Sequence, residues 1–157
     1  MFAVYAEWLH ALEQSGLGHV ARHSAWAYTI ANVLHVLGAA LLVGGIAVFD
    51  LKLLLRGGGV AETGRAAIPL AAFGLALQIP TGLVLLAPEA SALGQNPAFL
   101  YKLGFILFGL VNVALFHHRV GADMRLDRFP PAARILAGVS LVAWTGALVA
   151  GRMIAYL

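Results

Sequence analysis

Residues 26–55 read WAYTIANVLHVLGAALLVGGIAVFDLKLLL, an apolar run long enough to cross a bilayer, since a spanning helix needs about 20 mostly apolar residues. Ser24 precedes the run as an N-cap, and Gly57-Gly58-Gly59 ends it. Three more runs follow. One extends from about Ala66 to Ala87 and stops at Pro88. The next starts at Asn96-Pro97, where proline suits the first helical turn, and continues to His118. The last covers about Ala132 to Tyr156, bounded by Pro130-Pro131. Every connection is short, so neighbouring helices are expected to be antiparallel. The pattern predicts an all-α integral membrane protein, a four-helix up-down bundle forming a single transmembrane domain over 1–157.

Composition points the same way. Of 157 residues, 61% are hydrophobic and 11% charged, with a mean hydropathy of +0.88. A soluble domain carries roughly 25% charged residues, so this chain cannot cover a globule with a hydrated surface. Cysteine is absent, which excludes disulfides, thiolate metal sites, iron–sulfur ligation and thioether-linked haem. No Walker loop, dinucleotide fingerprint, HExxH or serine-nucleophile elbow is present. No basic cluster interleaves with aromatics, so nucleic acid is not an expected partner.

At the N-terminus, Phe2, Tyr5, Trp8, Leu9 and Leu12 fall at helical spacing opposite Glu7, His10, Glu13 and Gln14. A short amphipathic helix over about 2–14, lying in the membrane interface, fits that pattern. A peripheral helix packed on the bundle fits it equally.

Basic residues set the expected orientation. Lys52, Arg56, Arg65, Arg119, Arg125, Arg128 and Arg134 lie at the first and third loops, against Arg22, Lys102 and Arg152 on the opposite side. The positive-inside rule then places both termini outside the cytoplasm, periplasmic in the inner membrane of a bacterium.

Polar groups within spans are functional-site candidates by default. His35 lies roughly 6–8 Å below the outer edge of the first span by helical rise, and Lys102 a similar distance along the third from Pro97. Arg152 comes late in the fourth span. Three basic groups thus share one level. Around His35, Tyr28, Asn32, Gly38, Ala39, Leu42 and Gly45 recur at three- and four-residue steps. The second span presents Gly74, Gln78, Thr81 and Gly82 on one face; the fourth presents Ser140, Trp144, Ala147 and Gly151. Small residues at such positions let helices pack closely or leave room for a flat ligand.

His35 has two readings, a polar fastener bonded to Gln78, Asn112 or another helix, and an axial ligand to haem iron. Lys102 is the candidate second ligand, or a lysine that snorkels to the headgroups. Arg152 could pair with a propionate or snorkel likewise. His117 and His118 lie some 20 Å or more from His35 by helical rise. They and the outer His10, His19 and His23 are expected to be solvated. A surface role is expected for Asp50, with pairing to an arginine of the third loop, or a proton or ligand site at the inner mouth, as the alternatives.

Several phrases carry a resemblance. Ser15-Gly16-Leu17-Gly18-His19 and Arg22-His23-Ser24 lead into Leu34-His35-Val36-Leu37-Gly38, Leu42-Val43-Gly44-Gly45 and Phe49-Asp50-Leu51-Lys52-Leu53. Asn96-Pro97-Ala98-Phe99, Lys102, Asn112, Trp144 and Gly151-Arg152-Met153-Ile154-Ala155-Tyr156 follow in order. Together they resemble a bacterial family of small four-helix inner-membrane proteins of unknown function, over almost the whole chain. More distantly, the first span is similar to the CopD copper-resistance membrane domain and to HemJ-like proteins. The latter are four-helix membrane proteins associated with haem b. That resemblance implies haem b as cofactor, with His35 and Lys102 at the relevant positions. The other HemJ-like signatures are absent, so protoporphyrinogen oxidation is not implied. No methionine-rich or cysteine set exists for copper.

The expectation is a haem b-binding membrane protein with an electron-transfer or redox role near the periplasmic face. His35 and Lys102 would bind the metal, with Arg152, Asn32 and Trp144 around the cofactor. A redox partner or a second copy would accompany the lipid bilayer as partner. The alternatives are a cofactor-free membrane subunit or scaffold and a small transporter. Whether any of these is an enzyme is left open by the sequence.

Overall fold

A computed structural model describes residues 2–120 and 129–157. The N-terminal segment forms α1 (Phe2–Glu13) and α2 (Gly16–His23). Four long helices follow: α3 (Ala25–Leu54), α4 (Val60–Leu86), α6 (Pro97–Val120) and α7 (Pro131–Met153). Between α4 and α6 the chain makes a 3-10 turn over Ala87–Glu89 and the single-turn α5 (Ala90–Leu93). The four long helices are apolar enough to cross a membrane, and they pack as an up-down bundle. Their outward faces carry Val33, Val36, Phe73, Ile79, Leu107, Ile135 and Val142, all more than half exposed, a surface that only lipid can solvate. The chain is a multi-pass integral membrane protein in contact with the bilayer.

The bundle consists of two hairpin pairs, α3 with α4 and α6 with α7, joined through α3 and α7. Glycine brings the first pair together. A Cβ on Gly74 would stand 2.6 Å from the Gly38 carbonyl oxygen and 2.5 Å from the Leu42 nitrogen, and one on Gly45 would stand 2.8 Å from the Ala67 carbonyl oxygen. At these positions backbone meets backbone, the small-residue packing of membrane helices.

α4 starts at Val60, six residues before the apolar run seen in the sequence. Its first turns carry Glu62, Thr63 and Arg65, so the helix continues out of the hydrocarbon where hydropathy no longer marks it. Thr63 secures that end, accepting from Lys52 Nζ at 2.7 Å and donating to the Gly59 carbonyl at 3.2 Å. Gly59 holds a left-handed φ of 68°. Pro69 and Pro80 lie inside α4 without ending it, as membrane helices permit.

α1 and α2 cap the bundle end that carries α5; the opposite end is called the hairpin end. Ser15 Oγ caps α2, a helix with no clear mark in the sequence, by accepting from Gly18 N at 3.3 Å. Leu9 is buried against Gly94, where any Cβ would overlap its Cδ1. Tyr5 donates to the Gly94 carbonyl at 3.3 Å. Arg22 donates to the carbonyls of Pro88 (2.8 Å) and Glu13 (2.7 Å), and Glu13 accepts from the Ser91 N–H at 2.9 Å. Glu13 is therefore a tie within the cap. Ser91, through its side chain and backbone, and then Arg22 and His10 hold its carboxyl below the ordinary value of 4.5 against the opposing effect of burial. Val4 and Trp8 face outward, 69% and 55% exposed. Arg125 and Arg128, counted above for orientation, lie outside the described residues, as does the side chain of Phe2.

Candidate functional site

Near the capped end three helices converge on His35. α4 holds the imidazole. Thr81 Oγ1 lies 2.9 Å from Nδ1 and 2.5 Å from its own helix's Leu77 carbonyl. A hydroxyl has one proton, and the Leu77 carbonyl can only accept it. Thr81 must then accept from a protonated Nδ1, and a neutral His35 keeps Nε2 unprotonated as an acceptor. One turn earlier, Gln78 Nε2 donates to the His35 carbonyl, fixing the backbone beneath the ring. Gly82 clears space: a Cβ there would meet His35 Cε1 at 3.3 Å.

α6 supplies Lys102, whose Nζ lies 3.4 Å from His35 Nε2. Its stem runs past Gly151 of α7, with Cδ, Cε and Nζ 3.4–3.5 Å from where a Cβ would sit. The contact thus bridges the two hairpin pairs. His35 and Lys102 are both half-buried.

The other candidates lie elsewhere. Asn32 is exposed on α3. Arg152 is exposed and donates to Tyr156 Oη at 3.0 Å, with its guanidinium 5.2 Å from that ring's centre. Trp144 is buried two turns of α7 before Arg152, its ring against Gly109 and in a cluster with Leu42 and Ala71. Its Nε1 has no hydrogen-bond partner. His117 is exposed and bonds the Val113 carbonyl at 2.9 Å; His118 is exposed too. His19 and His23 stack on the outside of α2, ring centres 4.2 Å apart. Asp50, expected at the surface, is 4% exposed: it sits four residues before the end of α3, on the face turned towards α7.

The sequence put Thr81 on one face of the second span without making it the partner of the imidazole, a part expected of Gln78, Asn112 or another helix; Gln78 bonds the His35 carbonyl and Asn112 the Leu136 carbonyl instead. Thr81 stands on the face that also carries Gly74, Gln78 and Gly82, and a hydroxyl three residues after a glutamine was the signal available.

The pair can be tested against a metal held by both nitrogens. The tautomer fits: a ligating histidine donates its other ring N–H to a neighbouring oxygen, as Nδ1 does to Thr81. The spacing nearly fits, because two metal–nitrogen bonds of about 2 Å each need roughly 4 Å against the 3.4 Å found. The lysine stem, which runs past Gly151, is the side chain that would move to supply that difference, and a haem would in addition need room for its porphyrin between the two nitrogens. Two concavities lie away from the pair. One of about 610 Å³ lies on the flank of α6 and α7 around Phe105 and Gly146, the other of about 550 Å³ along α3 and α4 around Gly44 and Ala67. Among the described residues no three His, Cys, Asp or Glu side chains cluster as a metal site.

Comparison with family models, curated proteins and solved structures gave no match. The likenesses drawn from the sequence phrases stand on those phrases alone, and the class established is a small four-span membrane protein.

Proposed function

We propose that this protein binds haem b in the bilayer and serves electron transfer or redox chemistry near the periplasmic face of a bacterial inner membrane, both termini on that side. The observation that carries the proposal is the Thr81–His35–Lys102 alignment. It leaves one imidazole nitrogen unprotonated and turned to the Lys102 amine, between two helix pairs. His35 and Lys102 would hold the haem iron. Thr81 orients the ring, and Gln78 holds its backbone. Bound there, haem b supplies one-electron chemistry, its potential set by axial ligands and surroundings. Arg152, one residue from the Gly151 that Lys102 crosses, would pair with a propionate in place of Tyr156. Asn32 and Trp144 would flank the cofactor only at a greater distance. A redox partner or a second copy would accompany the protein.

Absorption spectra of protein purified in detergent, after expression with sufficient haem, test this reading. A Soret band in the wild type and its loss in His35→Ala are expected; no band in the wild type refutes it. A second reading has its own observation: His35 and Lys102 already contact one another, so the pair can be a fastener in a cofactor-free subunit. In that case His35→Ala lowers stability and changes no spectrum.

A further inference from the structure

Among the described residues four polar or charged side chains are buried, Asp50, Thr81, Asn112 and Ser140. Thr81 belongs to the His35 site. The other three, one each from α3, α6 and α7, meet around one turn of α7. Asn112 Nδ2 donates to the Leu136 carbonyl at 3.0 Å, and Ser140, four residues further on the same face, is the hydroxyl beside the Asp50 carboxyl. Asp50 Oδ2 has no hydrogen-bond partner.

No counter-ion stands by it. Among the described residues the ion pair found is Arg22 with Glu13. Lys52 is bonded to Thr63. Arg134 lies six residues before Ser140, about 9 Å nearer the hairpin end by helical rise, with its own buried Nε unpartnered. Apolar layers close both sides. Phe49, Leu53, Ala67, Phe116 and Ala137 form the layer at the hairpin end, and Leu42, Ala71 and Trp144 the other. α6 brings Asn112, and α4 brings Val60, Ala67 and Ala71 to those layers, none of them titratable.

A bare carboxylate so placed is prohibitively costly, and a buried one needs a counter-ion, a metal or a proton. Hard divalent cations take six or more oxygens, and the side chains here offer far fewer. We propose that Asp50 is a buried proton-binding site near the hairpin-end boundary of the bilayer, with Ser140 and Asn112 as its polar setting. The proton adds to Oδ2, and no other bond forms or breaks. Such a carboxyl is the element from which membrane proton relays are built. It lies about 22 Å along α3 from His35, shares no residue with that site and does not depend on the haem reading.

The test is infrared spectroscopy of the full chain in lipid vesicles at neutral pH in sodium-free buffer. It is paired with labelling by dicyclohexylcarbodiimide, an apolar reagent for protonated carboxyls, mapped by mass spectrometry. A carboxylic-acid C=O band is expected, lost in Asp50→Asn and kept in Glu89→Gln, a change at an exposed acid. The label is expected on Asp50 whether or not sodium chloride is added. Should Asp50→Asn fail to fold, Ser140→Ala is expected to shift the same band. Absence of the band, or its survival in Asp50→Asn, overturns the proposal; protection from labelling by sodium ions does so in favour of an alkali-ion site.

Discussion

Gly74→Ala is the perturbation that most sharply tests how α3 and α4 meet. The added methyl would stand 2.5 Å from the Leu42 nitrogen and 2.6 Å from the Gly38 carbonyl oxygen, against 3.4 Å for an ordinary contact. Both obstacles are backbone, so no rotamer change relieves them, and the helices must part locally by about 0.9 Å. Overpacking of this kind costs about 1–3 kcal/mol, only partly offset by the roughly 1 kcal/mol that alanine gains over glycine in a helix. Gly74 is one turn from Gln78, so parting the helices there also draws Gln78 Nε2 from the His35 carbonyl. The control is Gly44→Ala, where a Cβ meets nothing within 4 Å. Unfolding of both variants is measured by titration from mild detergent into dodecyl sulfate. Gly74→Ala is expected to unfold earlier than wild type, and Gly44→Ala at the same point or later. Equal midpoints for the two variants would refute the close backbone crossing.

Two further outcomes follow from particular contacts. Thr81→Val removes the acceptor of the His35 Nδ1 proton; haem affinity by titration should fall about 10- to 100-fold, as for lost partners of metal ligands, while Thr81→Ser keeps most of it. Glu13 ties the cap through a carboxyl held below its ordinary 4.5 by Ser91 and then by Arg22 and His10. A depressed folded value means the stabilisation is complete above 4.5 and lost as pH falls through the lowered value. Hydrogen exchange, corrected for its intrinsic pH dependence, should therefore show α1 and α2 loosening in acid. Glu13→Gln should be loosened already at neutral pH; a cap insensitive to both changes would contradict the tie.

The bundle was legible because lipid imposes one coarse rule, a long apolar helix for each crossing. Ser24 and Asn96 also mark true helix starts: Ser24 Oγ accepts from Ala27 N at 3.2 Å and Asn96 Oδ1 from Ala98 N at 2.9 Å. Less visible was whatever depends on which side of a helix faces a neighbour. In a span that is apolar all round, periodicity is faint. Gly38, Leu42 and Gly45 turned inward with the stripe as expected, while Asn32 at the same spacing is exposed. Asp50 ends an apolar run and reads as a boundary residue, yet α3 continues past it and the rotation of the helix puts it inside. Arg152 shares its level with His35 and Lys102, but an aromatic ring one turn later in its own chain takes it. Depth is written in residue number; direction around the helix axis is settled by packing.

Haem content per chain is the most direct measure of the central proposal. Wild-type protein purified from haem-replete cells is expected to carry about one haem b per chain by pyridine haemochrome assay, one site being defined by one His35–Lys102 pair. His35→Ala should carry none while keeping the wild-type helical circular dichroism. Haem-free wild type, or a folded His35→Ala that retains full haem, would contradict it.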